Sequence, residues 1–501
     1  VDGAWRRSDD YEVPVAPVSR RLAAANGLIP LNDRRVENSF VDLNAYGAGV
    51  SYVGDNGHLG VSVRRTETQY GIPFLQVANP DPGAEGPVFI DLHQTRYDLR
   101  GERAFSDGPF ERVRAAIGYA DYEHSEVDLA TGDIGTRFLS HGAEGRLELV
   151  QRDQNGWQGA IGVQGLSRRF SAIGDEAFVP QTDIEEAAVF VLQRLDRGGW
   201  GLEGGARLDT RRLSAGLAGR PTSDAAQSFG LNWSATPADR QFTNLSASGA
   251  VFGRPAEGLF VSVSLSYNRR APTEFELFAD GPHPGTGGYE IGDPSLGAEA
   301  VVTAEGTVRL TRERFRGEAH LFAARYDGYI EEAPTGLFVG DDGVPDPGGE
   351  LPVFRYFATD ATFYGGELAG DFELARWSNA ALHLTGQADF VHGDTDAGPP
   401  ARIPPWSVTG GLELTSARYD LSAEVRHVAE QNRVAAFELP TAGYTLFNAR
   451  ATWRPFANER VSVFVDGRNL GNVEAREHVS FLKDVAPLPG RSLRIGFASR
   501  F

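Results

Sequence analysis

Apolar and polar residues alternate along much of this chain of 501 residues. The alternation is clearest in 258–268 and in the final segment, 490–501. One face of 258–268 carries Leu259, Val261, Val263, Leu265 and Tyr267. One face of 490–501 carries Leu493, Ile495, Phe497 and Phe501. Because successive side chains of a β-strand point to opposite faces, this period of two predicts strands with an apolar medium on one side and water on the other.

Turn signals divide the chain into hairpins whose connections are alternately short and long. Short turns, several with Asn-Gly or Asp-Gly pairs, alternate with longer polar stretches rich in Gly, Pro and Asp. The short turns lie at 55–57, 106–108, 155–156, 196–198, 254–257, 312–314, 377–379, 416–418 and 456–458. The longer stretches lie near 11–35, 71–87, 129–135, 171–182, 213–239, 272–295, 331–350, 393–400, 433–442 and 473–489. Short turns on one rim and long loops on the other are typical of outer-membrane barrels.

The pattern therefore predicts an all-β fold, a transmembrane antiparallel up-and-down β-barrel of the 22-stranded type. We count about twenty strands, from an upward strand at 1–10 to a downward strand at 490–501. An even barrel with both ends in the periplasm starts upward and ends downward, so the count allows a further pair of strands before Val1. Since no signal peptide precedes Val1, we expect the sequence to be a mature or truncated form.

Composition favours one closed sheet over several soluble domains. No run of about 18 apolar residues is present that would form a transmembrane helix. The chain is 41% hydrophobic and 10% aromatic, unlike a disordered chain, and no linker divides it. A soluble β-propeller would need a repeated motif, and the hairpins recur in length but not in sequence. We expect residues 1–501 to form one domain, the barrel.

Charge and residue types limit the chemistry. The net charge of −20 argues against a nucleic acid partner, which requires a basic surface. The chain has no Cys, so any metal would be bound by His with Asp or Glu, ligands that suit zinc. The sequence contains no Gly-rich phosphate loop, nucleophile elbow or His-Glu-x-x-His motif, and we do not expect an enzyme.

Several segments resemble TonB-dependent outer-membrane receptors. They are DATFYGGE (360–367), RIPPW (402–406), NARATWR (448–454), VDGRNLGN (465–472) and the terminal strand that follows PLPGR (487–491). Others are similar to the zinc-uptake branch of that family. They are YGIP (70–73), QTRYDLR (94–100), YEHSE (122–126), GPH (281–283) and YEIGD (289–293). The resemblance covers essentially the whole chain.

This resemblance implies a TonB-dependent active transporter of the Gram-negative outer membrane, of the zinc-receptor type and usually monomeric. It also implies a plug domain and a TonB box, neither of which lies in 1–501. The partners it implies are the TonB–ExbB–ExbD complex, the plug, lipopolysaccharide and outer-membrane lipid, and the barrel-assembly machinery acting on the strand that ends at Phe501. No cofactor is required, and zinc or haem would be the transported substrate.

The stretch 272–295 contains the first candidate metal ligands, His283, Glu290 and Asp293. Further acidic residues flank His283, namely Glu274, Glu276 and Asp280. The flanking segments 270–272 and 293–296 resemble degraded forms of the paired boxes around a haem-binding histidine in haem receptors. One imidazole could therefore serve zinc or haem iron. The alternative is a loop histidine packed beside prolines with no ligand role.

A second candidate pair is His124 with Glu126, to which Asp128 could contribute. Spaced i and i+2, they share a strand face with Arg112 and Arg114, which we expect to be the lumenal face. The alternative is a polar strand extension above the membrane. A third, weaker candidate is His93 with His141, which would face each other across neighbouring strands.

The cargo remains open between zinc, a zinc complex, haem and a ferric siderophore. A passive porin is the alternative if no plug is encoded. The acidic runs in 331–350 would either gather divalent cations near the mouth or be solvated loops.

Overall fold

In the residues that it describes, the computed structural model is a single β-sheet with three short helices in its loops. It describes residues 1–79, 86–174, 176–283, 286–340, 342–349, 351–456 and 460–500. These residues do not include Phe501 of the predicted terminal strand, most of the predicted turn 456–458 or parts of four predicted loops. The four loops are 71–87, 171–182, 272–295 and 331–350.

Within the described ranges, twenty-two strands make up the sheet. The first eleven are β1 (Asp2–Ser8), β2 (Val41–Gly54), β3 (Gly57–Gly71), β4 (Val88–Ala104), β5 (Phe110–Asp128), β6 (Ile134–Gln151), β7 (Trp157–Gly174), β8 (Thr182–Asp196), β9 (Trp200–Ala215), β10 (Asp239–Ala256) and β11 (Leu259–Arg270). The others are β12 (Asp280–His283), β13 (Gly288–Ile291), β14 (Glu299–Thr311), β15 (Phe315–Val339), β16 (Leu351–Arg376), β17 (Ala380–Thr395), β18 (Ser407–Ser416), β19 (Tyr419–Val428), β20 (Tyr444–Trp453), β21 (Val461–Arg468) and β22 (Ser492–Ser499).

The helices all lie in loops at the long-loop rim. They are α1 (Arg20–Asn26), α2 (Asp224–Ser228) and α3 (Glu274–Phe278), with a 3-10 turn at Trp233–Ala235. In the part of the chain that the structure describes, none of the helices is long and apolar enough to cross a membrane.

Neighbouring strands pair antiparallel in chain order, which confirms the predicted up-and-down topology. Among the described strands, the β12–β13 hairpin departs from this order, since β11 pairs directly with β14 and leaves the hairpin above the wall. There β13 pairs in parallel with the start of β16. The wall therefore consists of twenty strands, the number that the sequence predicts. Among the described residues, β1 pairs with β2 and β22 pairs with β21.

The two faces of the wall have opposite chemistry, as the alternation predicts. On β11, Val263 is 61% exposed and Leu265 58% exposed on the outer face. On the inner face of β5, Arg112 and Arg114 both form ion pairs with Glu102 of β4. Outward apolar side chains meet lipid and inward charges line a hydrated lumen.

Exposed aromatic residues form two belts on the outer face. The belt near the short turns contains Tyr52, Trp157, Trp200, Trp377, Tyr419 and Trp453. The belt nearer the long loops contains Tyr46, Tyr97, Tyr119, Tyr267, Tyr364 and Trp406. Tyr and Trp favour the two membrane interfaces, so the belts mark the limits of the apolar band, about 25 Å apart in such barrels. Residues on the long-loop side of the second belt lie outside the membrane.

The short turns follow the predicted chemistry. At 155–156, Asn155 has φ 57° and Gly156 has φ 80°, the left-handed pair that a tight type I′ hairpin requires. Any Cβ at position 156 would also lie 2.0 Å from the Asp196 carbonyl oxygen, so only glycine fits there.

Tightly packed apolar side chains lie at the long-loop end, in the loops and in the strand ends that meet them. One cluster contains Leu213, Trp233, Leu277 and Phe278, which are all fully buried. Within it α3 starts with a capping box, in which Thr273 and Glu276 each accept from the other's backbone N–H. The predicted loop 331–350 is shorter than expected because β15 continues to Val339, and Glu331 is buried rather than solvated.

Val263→Arg is expected to lower the free energy of unfolding in lipid vesicles by about 2–3 kcal/mol, because it places a charge in the apolar band. The matched control is Ser264→Arg on the same strand, whose side chain faces the lumen beside Glu305. Denaturant titration checks both variants. Equal losses of stability would contradict the assignment of the two faces.

Candidate metal site above the barrel

The β12–β13 hairpin brings two predicted ligands, His283 and Glu290, into direct contact. The Nδ1 of His283 lies 2.6 Å from Oε1 of Glu290. Thr286, in the turn between them, donates from its hydroxyl to the same carboxylate oxygen at 3.1 Å. Glu290 is almost fully buried, whereas the His283 side chain is 23% exposed. The hairpin therefore presents an oriented imidazole to the space above the lumen.

The second predicted pair lies next to the first. The ring of His124 stacks on Phe138 at 4.4 Å between centroids, and the ring of His283 stacks on Phe178 at the same distance. Phe138 and Phe178 contact each other edge to face, at 6.1 Å. His124 is oriented by a 2.9 Å hydrogen bond between its Nδ1 and the Tyr122 hydroxyl. Two histidines far apart in the sequence thus share one aromatic cluster.

A loop arginine holds Phe178 in this position. The guanidinium of Arg220 donates to the carbonyl oxygens of Phe178 at 2.7 Å, Phe278 at 2.6 Å and Asp280 at 3.2 Å. These three acceptors belong to two different loops. Arg220 therefore ties the segment before β8 to the segment that carries His283.

Three carboxylates surround the two histidines: Glu126, Glu290 and Glu332. Glu126 and Glu290 are buried, and the Glu332 side chain is 11% exposed. The Tyr356 hydroxyl donates to Oε2 of Glu290 at 3.4 Å. All of these residues lie beyond the second aromatic belt, at the long-loop end of the molecule. A concentration of negative charge at low exposure favours a cation.

The pKa values of this group reflect that charge. Burial alone would lower the pKa of His283, but the hydrogen bond to Glu290 and the charges of Glu290, Glu126 and Glu332 raise it above its ordinary value. Burial and the neighbouring Glu290 raise the pKa of Glu332 to about 7, against the opposing effect of Arg402 and His283. Burial and the charge of His283 lower the pKa of His124 to about 4. At neutral pH His124 is therefore a neutral imidazole that can act as a ligand.

The other acidic residues of the predicted loop are engaged elsewhere. Asp293, a predicted ligand, accepts from Arg355 at 3.2 Å and lies outside the histidine cluster. The remaining three form the following contacts: Glu274 with Arg168 and Arg211, Glu276 with Arg270, and Asp280 with Ser223, Trp233 and Tyr289. Of the acidic residues that flank His283 in the sequence, Glu290 is the one that contacts it.

The predicted pairing of His93 with His141 is wrong. The two residues lie on β4 and β6, and β5 runs between these strands. Each histidine contacts a carboxylate instead, His93 with Asp91 at 3.5 Å and His141 with Asp121 at 2.9 Å. Register places His141 opposite Asp121, on the same outer face as Tyr119.

Among the described residues, no three His, Asp or Glu side chains are arranged to hold a metal ion as they stand. The cluster holds candidate donors at close quarters, but aromatic rings separate its two histidines. Sequence reasoning did not identify Glu332, Tyr356, Phe138 or Phe178 as part of this group. The only signal for Glu332 was the acidic pair 331–332 at the start of a predicted loop.

A family model described as "TonB dependent receptor-like, beta-barrel" matches residues 30–470. Among solved structures, the chain is similar to the copper transporter OprC, with TM-score 0.76 and 17% identity over 100% of this chain and 74% of that one. It is similar to the FrpB iron transporter from Neisseria meningitidis (F5-1 variant), with TM-score 0.74 and 14% identity over 100% and 77%. A double mutant of the Serratia marcescens hemophore receptor HasR, in complex with its hemophore HasA and heme, gives TM-score 0.67 and 17% identity over 100% and 75%. Identities this low establish a shared fold and leave the cargo open.

Glu290→Gln is expected to move the protonation midpoint of His283 to lower pH, because it removes the hydrogen-bonded charge that opposes the effect of burial. Diethyl pyrocarbonate modifies neutral imidazole, so peptide mapping of modified His283 against pH reports the midpoint. The control variant is Asp293→Asn, since Asp293 pairs with Arg355 instead. An unchanged midpoint in Glu290→Gln would contradict the charge-stabilised imidazolium.

Proposed function

This chain belongs to the TonB-dependent receptor family, and from that premise we propose that it captures zinc or a small zinc complex above the barrel for uptake. Members of this family are transporters and receptors rather than enzymes, and they work with the TonB–ExbB–ExbD complex. The chain is accordingly a transport barrel of the Gram-negative outer membrane. The proposal concerns its cargo and the residues that bind it.

The observation that carries the proposal is the meeting of His283, Glu290, His124, Glu126 and Glu332 at the mouth of the barrel. Imidazole and carboxylate are borderline and hard donors, and zinc accepts both when thiolates are absent. The other candidate, Asp293, is not part of the proposed ligand set because it pairs with Arg355.

The orientation of His283 supports a ligand role. Its Nδ1 contacts the Glu290 carboxylate, which leaves Nε2 as the nitrogen that can coordinate a metal. Histidine ligands commonly donate their other N–H to a carboxylate, which orients the ring and makes it a stronger donor. Thr286 and Tyr356 in turn orient Glu290. The hairpin therefore has the supporting contacts of a metal-binding histidine.

Haem is the alternative cargo that a specific observation favours. Both histidines stack against phenylalanine rings, and Phe170 and Phe275 extend the same aromatic cluster. Flat aromatic rings around an imidazole would suit a porphyrin as well as a bare ion. The similar HasR structure contains heme, although that ligand belongs to that protein.

We also propose that further strands and a plug complete the barrel. Each of β1 and β22 pairs with a single neighbour among the described residues, and a free sheet edge is not tolerated in hydrocarbon. At the long-loop end, the segments that flank these edges meet, with a 2.8 Å hydrogen bond from Gly490 N–H to the Glu12 carbonyl. A pair of strands between β1 and β22 would satisfy the two edges, and a plug would close a lumen too wide for side chains to fill.

His283→Ala is expected to weaken zinc binding by about ten-fold or more, because it removes the imidazole nitrogen donor that Glu290 orients. Isothermal titration calorimetry of the purified receptor with zinc measures the affinity. The matched control is His141→Ala, which removes an exposed histidine that also contacts a carboxylate, Asp121.

Two further measurements test the cargo and the energy source separately. Zinc uptake by cells should require both His283 and an intact TonB gene, whereas a passive porin would need neither. Absence of zinc binding by the unaltered receptor would contradict zinc as cargo. A haem absorption spectrum that disappears in His283→Ala would establish the alternative.

A further inference from the structure

The side chain of Arg402 contacts Glu332, one of the three carboxylates of the site. The guanidinium of Arg402, in the loop between β17 and β18, lies 3.4 Å from Oε2 of Glu332 and 3.4 Å from the Glu332 carbonyl oxygen. Both side chains are largely buried, at 25% and 11% exposed. Glu332 lies opposite Tyr356 in the β15–β16 register, and the Tyr356 hydroxyl donates to Glu290 at 3.4 Å, so Glu332 lies beside the candidate ligands. Arg402 therefore supplies part of the positive charge that balances the site.

The backbone of Arg402 is held in an unusual conformation. Its φ is 59°, a left-handed value that costs free energy for any residue except glycine. Its backbone N–H donates to both carboxylate oxygens of Glu438, at 3.2 and 3.3 Å. Glu438 lies in the loop between β19 and β20, so a second loop sets the direction in which the arginine points.

Glu438 is itself fixed by the last long loop, 473–489. Its Oε1 lies 2.5 Å from Nζ of Lys483 and 3.3 Å from Nε2 of His478. All three side chains are more than nine-tenths buried. Burial alone would raise the pKa of Glu438, but contacts with His478 and Lys483 lower it to about 2. Glu438 is therefore a permanent anion that joins this loop to Arg402.

The same loop also covers the arginine directly. The guanidinium of Arg402 lies 4.0 Å above the ring of Phe481, a cation–π contact. Phe481 contacts Phe354 edge to face at 6.4 Å, and Phe354 lies against Gly288 of the β12–β13 hairpin. Arg402 thus stands between the candidate ligands and the 473–489 loop, and it touches both sides.

We propose that Arg402 is a tethered competitor of the cargo, an internal cation that occupies Glu332 until a divalent cation displaces it. This inference rests on the proposed function, because it concerns how the same site exchanges one cation for another. Displacement frees the Glu332 carboxylate to join His283 and Glu290 around the metal. It also breaks the contact between Arg402 and Phe481, so occupancy of the site loosens the 473–489 loop.

Arg402→Gln is expected to bind zinc about ten-fold more tightly than the unaltered receptor, because the metal no longer competes with a charge at Glu332. Arg402→Lys, which keeps the charge, should stay near the unaltered affinity. The matched control is Arg355→Gln, since Arg355 forms an ion pair of similar length and exposure with Asp293 outside the cluster. Calorimetry with zinc measures all four proteins, after a gel-mobility test for a folded barrel.

The outcomes separate this inference from the proposed function. No zinc binding by any of the proteins overturns both. Zinc binding by the unaltered receptor with equal or weaker binding by Arg402→Gln overturns the competitor role alone, and weaker binding would mean that Arg402 merely supports the site. A second measurement needs no variant: zinc should increase hydrogen–deuterium exchange in peptides covering 473–489. Unchanged exchange there would also overturn the inference.

Discussion

The structure depends on one constraint, that every backbone N–H and C=O group within the hydrocarbon must be paired inside the protein. Antiparallel registers between neighbouring wall strands meet it everywhere except at the outer edges of β1 and β22, and they also determine which face each residue occupies. Along each strand, alternate residues form the lipid-facing surface and the residues between them line the charged lumen. Since strand ends then fall on two rims, the long loops collect at one end, where their own packing can build a site.

The wall was predictable because a period of two is a local signal that needs no distant partner. The predicted segment 461–468 coincides with β21, and 258–268 corresponds to β11 within two residues at either end. The long loops were not predictable, because their order comes from contacts with distant residues. The stretch 272–295 looked like a polar excursion, yet it contains α3 and a buried hairpin held by Arg220 and by pairing with β16.

The candidate site, too, was predictable only where it depends on a local pattern and not on contacts between distant residues. His283 and Glu290 could be paired from the sequence, since they lie seven positions apart across a turn and their chemistry is distinctive. The proximity of His124 to His283 is a property of loop packing over the rim, which no local pattern encodes. The predicted pairing of His93 with His141 is wrong because β5 lies between the strands that carry them. Glu332 lies on β15 and Arg402 in the loop between β17 and β18, and each would pass for an ordinary solvated charge when considered alone.

The length of β15 and β16 has a consequence for how a receptor of this shape meets its surroundings. At about 3.3 Å per residue, strands of 25 and 26 residues extend on the order of 80 Å, far more than a bilayer requires. The β12–β13 hairpin is mounted on this projecting part through β16. If the hairpin binds the cargo as we propose, binding takes place beyond the membrane and is separate in space from passage through the lumen. Substitutions in the projecting part would then change which solute binds without changing the lumen below.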